Sequence, residues 1–184
     1  MAVKTVGVVG AGTMGNGIAQ VFAANGFQVI LQDINLQSEE RGMATIENSL
    51  DRLIKSEKIS AEDKAETLGR LSTSSDLRSM TEADLVVEAA SEDFAVKRKV
   101  FEQLDVVCKR NVILASNTSS ISLTRIAATT RRPEKVIGLH FMNPVPLMKL
   151  IEVIRALQTD DETCAVIQDL ADKLNKTALM ANDS

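Results

Sequence analysis

Two kinds of chemistry can be read from the residue types of this 184-residue chain before any fold is assumed. The first is anion binding. Gly10-Ala11-Gly12-Thr13-Met14-Gly15 is a G-x-G-x-x-G turn between an apolar run and an amphipathic segment, and Asp33 closes the next apolar run. In that setting Gly10 permits a tight turn, Gly12 lets a pyrophosphate reach the backbone, and Gly15 lets the following helix pack close. The free N–H groups of the helix N-terminus then face the phosphates. Asp33 accepts hydrogen bonds from an adenosine ribose and repels a 2′-phosphate, which favours NAD over NADP. A glycine turn beside a surface Asp is the plain alternative. The second chemistry is proton transfer. His140 is the only histidine, and a turn centred on Pro146 of the Asn143-Pro144-Val145-Pro146 segment sets it opposite Glu152. A cross-strand carboxylate fixes the tautomer of such an imidazole and favours its protonated form, which makes an oriented general acid/base. A structural His–Glu pair at a sheet edge fits the same spacing.

These groups need a scaffold, and the hydrophobic pattern supplies one. Short continuous apolar runs at 4–10, 27–32, 84–90, 111–116, 136–141, 150–156 and 178–181 read as strands buried on both faces. Helical spacing separates most of them. Met14, Ile18, Val21 and Phe22 mark one helix, stopped at Asn25-Gly26. Met43, Ile46, Leu50, Leu53 and Ile54 mark a longer one. Ser60 with Asp63 opens a short helix through Leu71, and Thr159 with Glu162 reads as a capping box for a helix to about Asn175. Residues 92–108 form a helix with Phe94, Lys97, Phe101, Leu104 and Cys108 near one side, and 122–128 a short one. The fold class is therefore α/β, a Rossmann-type, doubly wound and mostly parallel sheet of about eight strands. The helix pair after the second strand is a hairpin arm, either a substrate surface or a solvated structural extension. No room for a helix remains between 141 and 150, so those strands form an antiparallel hairpin over 136–156.

In such a sheet ligands bind beyond the carboxyl ends of the strands. The glycine turn, Asp33, Glu88, Asn117, Ser119 and His140 all fall there. Ser116-Asn117-Thr118-Ser119-Ser120 is otherwise a helix-capping turn, with Ser122 as a cap.

Composition narrows the class. The hydrophobic fraction is 45% and the charged fraction 25%, ordinary for a folded globular chain. A net charge of −4 argues against a nucleic acid or an anionic membrane as partner. No apolar run approaches the ~18 residues of a membrane span. Cys108 and Cys164 are too isolated for a disulfide framework or a zinc site, and with one histidine no metal centre is expected. The opening MAVKTVGVVG reads as a first strand rather than a signal peptide, which makes the cytoplasm the expected address.

The segments GAGTMGNGIAQVFA, ASNTSS and GLHFMNPVPLMKLIEVI resemble the NAD-binding domain of the short-chain L-3-hydroxyacyl-CoA dehydrogenases, the 3-hydroxybutyryl-CoA dehydrogenases being the nearest kind. The resemblance runs over essentially the whole chain, 1–184. It implies an NAD-dependent oxidoreductase of fatty-acid β-oxidation or butanoate metabolism, acting on an acyl-CoA. It implies that His140 is the acid/base and Glu152 its orienter, that Ser119 contacts the substrate oxygen and the cofactor, and that Asp33 holds the ribose. Glu92, Lys97, Asn117 and Asn143 are implied at the nicotinamide end, and Ser49 and Lys55 of the arm at the coenzyme A moiety. In the family, Asn182-Asp183-Ser184 is followed by a Pro-Gly-Phe segment with an active-site Asn, then by a helical domain of about a hundred residues. That domain supplies a homodimer interface and is expected to be missing from this chain. A non-catalytic NAD-binding module and a dehydrogenase of a non-CoA hydroxyacid are the other readings.

Overall fold

A computed structural model describes residues 2–184. Its strands are β1 (Thr5–Val9), β2 (Gln28–Gln32), β3 (Leu71–Ser74), β4 (Leu85–Glu88), β5 (Ile113–Ser116), β6 (Val136–Phe141), β7 (Leu150–Arg155) and β8 (Thr177–Asn182). Its helices are α1 (Thr13–Ala24), α2 (Leu36–Lys55), α3 (Ala61–Gly69), α4 (Phe94–Val107), α5 (Leu123–Ala127) and α6 (Asp161–Lys173). The strands form one sheet in the order β3-β2-β1-β4-β5-β6-β7-β8. Every pairing is parallel except β6 with β7.

The double winding is visible in single strands. In β4, Leu85 and Val87 belong to the core under α1, α2 and α6, while Val86 belongs to the core under α4 and α5. Ile113 and Ala115 divide from Leu114 in the same way. Both faces of a central strand are therefore dry, which is why these runs read as unbroken hydrophobic sequence. Phe22 anchors the first layer, with edge-on contacts to Phe27 and Phe141. Phe101 and Leu104 anchor the second.

Two local expectations are overturned. Leu71 does not end a helix: it starts the edge strand β3, paired with Val29 of β2. The strand sequence LSTS carries little apolar signal, because only backbone pairing at a sheet edge holds it there. Thr159 and Glu162 do not form the capping box of α6. Asp160 is the N-cap and accepts from the Thr163 N–H, while the Thr159 hydroxyl is committed to the Val136 carbonyl. By contrast, the reciprocal Ser60–Asp63 box at α3 is formed. The hairpin register sets His140 against Glu152, as symmetry about Pro146 requires.

Candidate active site

The glycine turn joins β1 to α1 at the carboxyl edge of the sheet. Gly10 has φ +101°, and a Cβ there would lie 2.6 Å from the Ala89 carbonyl oxygen. A Cβ on Gly15 would stand 1.7 Å from the Gly10 oxygen, so the helix approaches the turn only because that position is bare. At Gly12 a Cβ would meet nothing within 4 Å, so the backbone there borders open space. Among the described residues, five of the six α-helices have a side-chain N-cap, from Asn35, Ser60, Asp93, Ser122 and Asp160. Helix α1 has none, and no acid in its first turn. Its leading N–H groups thus keep their donor capacity for a ligand.

Asp33 follows β2 and accepts from the Ala11 N–H at 2.7 Å and the Ile34 N–H at 2.6 Å. It lines a recess of about 320 Å³ with Ala11, Gly12, Thr13, Ser38 and Arg41. Arg41 was not singled out from the sequence. Its place one turn into α2, on the side facing the glycine turn, is the signal that identifies it. An uncapped helix mouth, an unobstructed Gly12 and a carboxylate beside them fit a dinucleotide's pyrophosphate and ribose.

A second recess of about 340 Å³ lies past the ends of β4, β5 and β6, and is lined by Met14, Glu92, Lys97, Asn117, Ser119, His140 and Asn143, among others. Every residue expected at the nicotinamide end is present there. His140 Nδ1 lies 2.9 Å from Glu152 Oε2. A carboxylate only accepts, so Nδ1 carries a proton in this contact and Nε2 is the nitrogen left for the recess. Asn117 is held by its Oδ1, which accepts from the Phe141 N–H at 2.8 Å.

Beneath the recess lies a buried ionic floor. Glu88 is fully buried and accepts from Lys97 Nζ at 2.8 Å, the Ser116 hydroxyl at 2.7 Å and the Ala90 N–H at 2.8 Å. Lys97, 1% exposed, also meets Glu92 at 3.4 Å. Glu92 in turn accepts from the Thr118 hydroxyl and the Ser119 and Ser120 N–H groups. Burial opposes the charge of Glu92, but the Thr118 hydrogen bond and the Lys97 ammonium outweigh it and hold the carboxyl below its usual range. Neither cysteine enters the site: both are buried, and burial pushes the Cys108 thiol up to about 11.

A third cavity of about 480 Å³ opens between the arm and the β6–β7 turn, and Ser49 and Asn143 line it. Lys55 does not. The arm cations on its wall are Arg52 and Lys58, and no carboxylate joins them. Helical phase explains the difference. Thr45, Ser49 and Arg52 recur at four- and three-residue steps along one face of α2, the C-cap Ser56 continues it, and Lys55 lies off that face. The cavity shares Thr13, Asn16 and Thr45 with the Asp33 recess and Asn143 with the His140 recess, so the three adjoin.

This topology and this glycine turn define a dinucleotide-binding domain of the Rossmann class, and its dinucleotide is NAD. The chain belongs to the 3-hydroxyacyl-CoA dehydrogenase family: the family described as "3-hydroxyacyl-CoA dehydrogenase, NAD binding domain" matches residues 5–184. It is 47% identical over 181 residues to a 3-hydroxybutyryl-CoA dehydrogenase of Bradyrhizobium diazoefficiens, covering 98% of this chain and 62% of that protein. It is 46% identical over 168 residues to a 3-hydroxyadipyl-CoA dehydrogenase of Escherichia coli, covering 91% and 35%. The crystal structure of (S)-3-hydroxybutyryl-CoA dehydrogenase from Ralstonia eutropha superposes with a TM-score of 0.98 at 48% identity, over 100% of this chain and 65% of that one. The chain thus spans under two thirds of the length of these relatives. Among the described residues no helix is long and apolar enough to cross a membrane.

Proposed function

We propose that this chain is the cofactor and acid/base half of an NAD-dependent (S)-3-hydroxyacyl-CoA dehydrogenase, with 3-hydroxybutyryl-CoA or a close homologue as substrate. The single observation that carries the reading is the 2.9 Å His140–Glu152 pair on the rim that also holds the glycine turn. NAD, when bound, supplies the hydride acceptor for C3 of the thioester. Gly10 to Gly15 and the α1 N-terminus hold its pyrophosphate, and Asp33 its adenosine ribose. Glu92, Lys97, Asn117 and Asn143 frame its nicotinamide end.

His140 Nε2 takes the proton of the 3-hydroxyl as the C3 hydride leaves. In the reverse direction the imidazolium returns that proton to the 3-oxygen. Glu152 keeps Nδ1 protonated and stabilises the imidazolium, so Nε2 is the nitrogen that works. The Ser119 hydroxyl orients the 3-oxygen. Ser49, with Arg52 and Lys58 in place of Lys55, meets the coenzyme A phosphates, since two cations with no acid beside them suit a polyanion. This reading takes a homodimer for the family-length form of the protein and the cytoplasm as its compartment.

Titration of the chain with NADH, with and without acetoacetyl-CoA, tests this. Enhancement of NADH fluorescence and its further change on adding the thioester are expected. A chain that binds NADH and ignores acetoacetyl-CoA is a dinucleotide module and not a part of this enzyme.

A further inference from the structure

The loop between β6 and β7 forms a wall of the cavity lined by Ser49, Arg52 and Lys58, and it is held from two sides. On one side it rests on α1: a Cβ on Gly17 would lie 2.9 Å from Val145 Cβ, so only glycine admits the loop at this depth. On the other side stands Lys176, between α6 and β8. Its side chain is 8% exposed, and its ammonium donates to the Val145 carbonyl at 2.8 Å and to the Met148 carbonyl. No carboxylate lies within ion-pair distance of it among the described residues. A buried ammonium without a counter-charge is costly, and burial pushes this one below the usual lysine range. Its retention therefore needs the two carbonyls, and the two carbonyls need it. Within the loop, the Leu147 and Met148 N–H groups both bond the Pro144 carbonyl, at 3.1 and 3.0 Å, so the turn is closed by its own backbone. Pro146 and Leu147 separate that cavity from a groove of about 450 Å³ bordered by Lys176 itself.

We propose that Lys176 is a positioning residue for the acyl thioester: its ammonium clamps the 143–149 turn against Gly17 and so sets the cavity wall formed by Asn143 to Leu147. It touches neither cofactor nor reacting atoms. This rests on the acyl-CoA reading above.

The test compares Lys176→Met with Lys176→Arg in the 184-residue chain. Acetoacetyl-CoA and NADH affinities are measured by calorimetry, and amide exchange is followed at Leu147 and Met148. Lys176→Met fills the space without donors. It is expected to weaken acetoacetyl-CoA about tenfold, to leave the NADH dissociation constant within about twofold of the wild-type value, and to speed exchange at both amides. Lys176→Arg keeps charge and donors, and the adjoining groove gives the guanidinium room, so most of the affinity returns. Should Lys176→Met not fold, Lys176→Gln makes the same comparison with one neutral, shorter donor. Wild-type thioester affinity in the Met variant, or equal loss of both ligands, overturns the proposal. Unchanged exchange at Leu147 and Met148 overturns the clamp itself. If exchange rises but wild-type chain binds no acetoacetyl-CoA, the clamp stands and the substrate reading falls.

Discussion

His140 is useful as an acid/base because one nitrogen is already committed. With Nδ1 bonded to Glu152, the proton can move only at Nε2. In the family-length protein, His140→Gln is expected to lower acetoacetyl-CoA-dependent NADH oxidation by about 10²-fold or more while NADH affinity stays within about twofold, since a positioned acid/base is worth about 10²–10⁴ in rate. Glu152→Gln keeps the fold and loses a large part of the same factor. Near-parental turnover in His140→Gln removes the assignment. Asp33 acts at the other end of the groove. The chain is expected to bind NADH well ahead of NADPH, and Asp33→Ala to narrow the gap mainly by weakening NADH, as read in parallel titrations. Arg41 in the same recess makes a finer point testable: Asp33→Ala should gain some NADPH affinity that Asp33→Ala with Arg41→Ala lacks.

At the level of elements, the turn between β1 and α1 is closed at contact distance. With the Gly10 oxygen 1.7 Å from where a Gly15 Cβ would sit, Gly15→Ala must push the helix off the turn. The expected result is a loss of a few kcal/mol in stability, in the range of overpacked positions, together with loss of NADH binding. Thermal melts and NADH titration read the two separately. A variant that melts and binds as the parent does would show that the close approach carries no energy. Gly12→Ala is the control: its Cβ meets no protein atom, so it should spare the fold and weaken NADH alone.

Across the whole molecule, acid is the natural stress. Asp105 is 7% exposed; burial opposes its charge, but bonds from the Arg131 N–H and the Arg132 guanidinium hold its carboxyl below the usual range. Asp160 and Asp183, at the N-terminal ends of α6 and α5, are depressed against burial by their capping bonds. A depressed carboxyl binds fewer protons folded than unfolded. The stability it contributes is complete above the unfolded value, near 4, and is lost as pH falls through the folded value. The melting temperature should therefore be level from about pH 5 to 7 and fall steeply below about pH 4. Asp105→Asn strands Arg132, which is 4% exposed, and should lower stability at neutral pH by about 3–5 kcal/mol while flattening the acid limb. An unchanged acid limb would assign the loss to other groups. At the same scale, the 184 residues span only 62% of the Bradyrhizobium relative. The chain alone is expected to bind NADH and to turn over acetoacetyl-CoA far below the ~10 per second of ordinary enzymes. A rate near that figure would mean the acyl site needs nothing more.

The glycine turn, Asp33 and the buried strands were legible in the sequence because their signals are local. A strand wet on neither face must be apolar throughout, and a phosphate turn must be bare of side chains. The His140–Glu152 contact was legible for a related reason: a hairpin of known centre fixes its register, and register fixes which side chains meet. The edge strand β3 was not, since backbone pairing with β2 holds a polar LSTS segment that no periodicity marks. Capping of α6 by Asp160 in place of Thr159 was decided by the Val136 carbonyl, 23 residues away in sequence, which claims the Thr159 hydroxyl. That Arg52 and Lys58, and not Lys55, line the arm cavity was not legible, because which face of α2 turns to the cavity depends on how the arm packs against α1. The same holds for Lys176, whose two carbonyl partners lie 31 and 28 residues before it. Local chemistry is carried by residue type and spacing, whereas which groups become partners is decided only when the sheet brings distant segments to one edge.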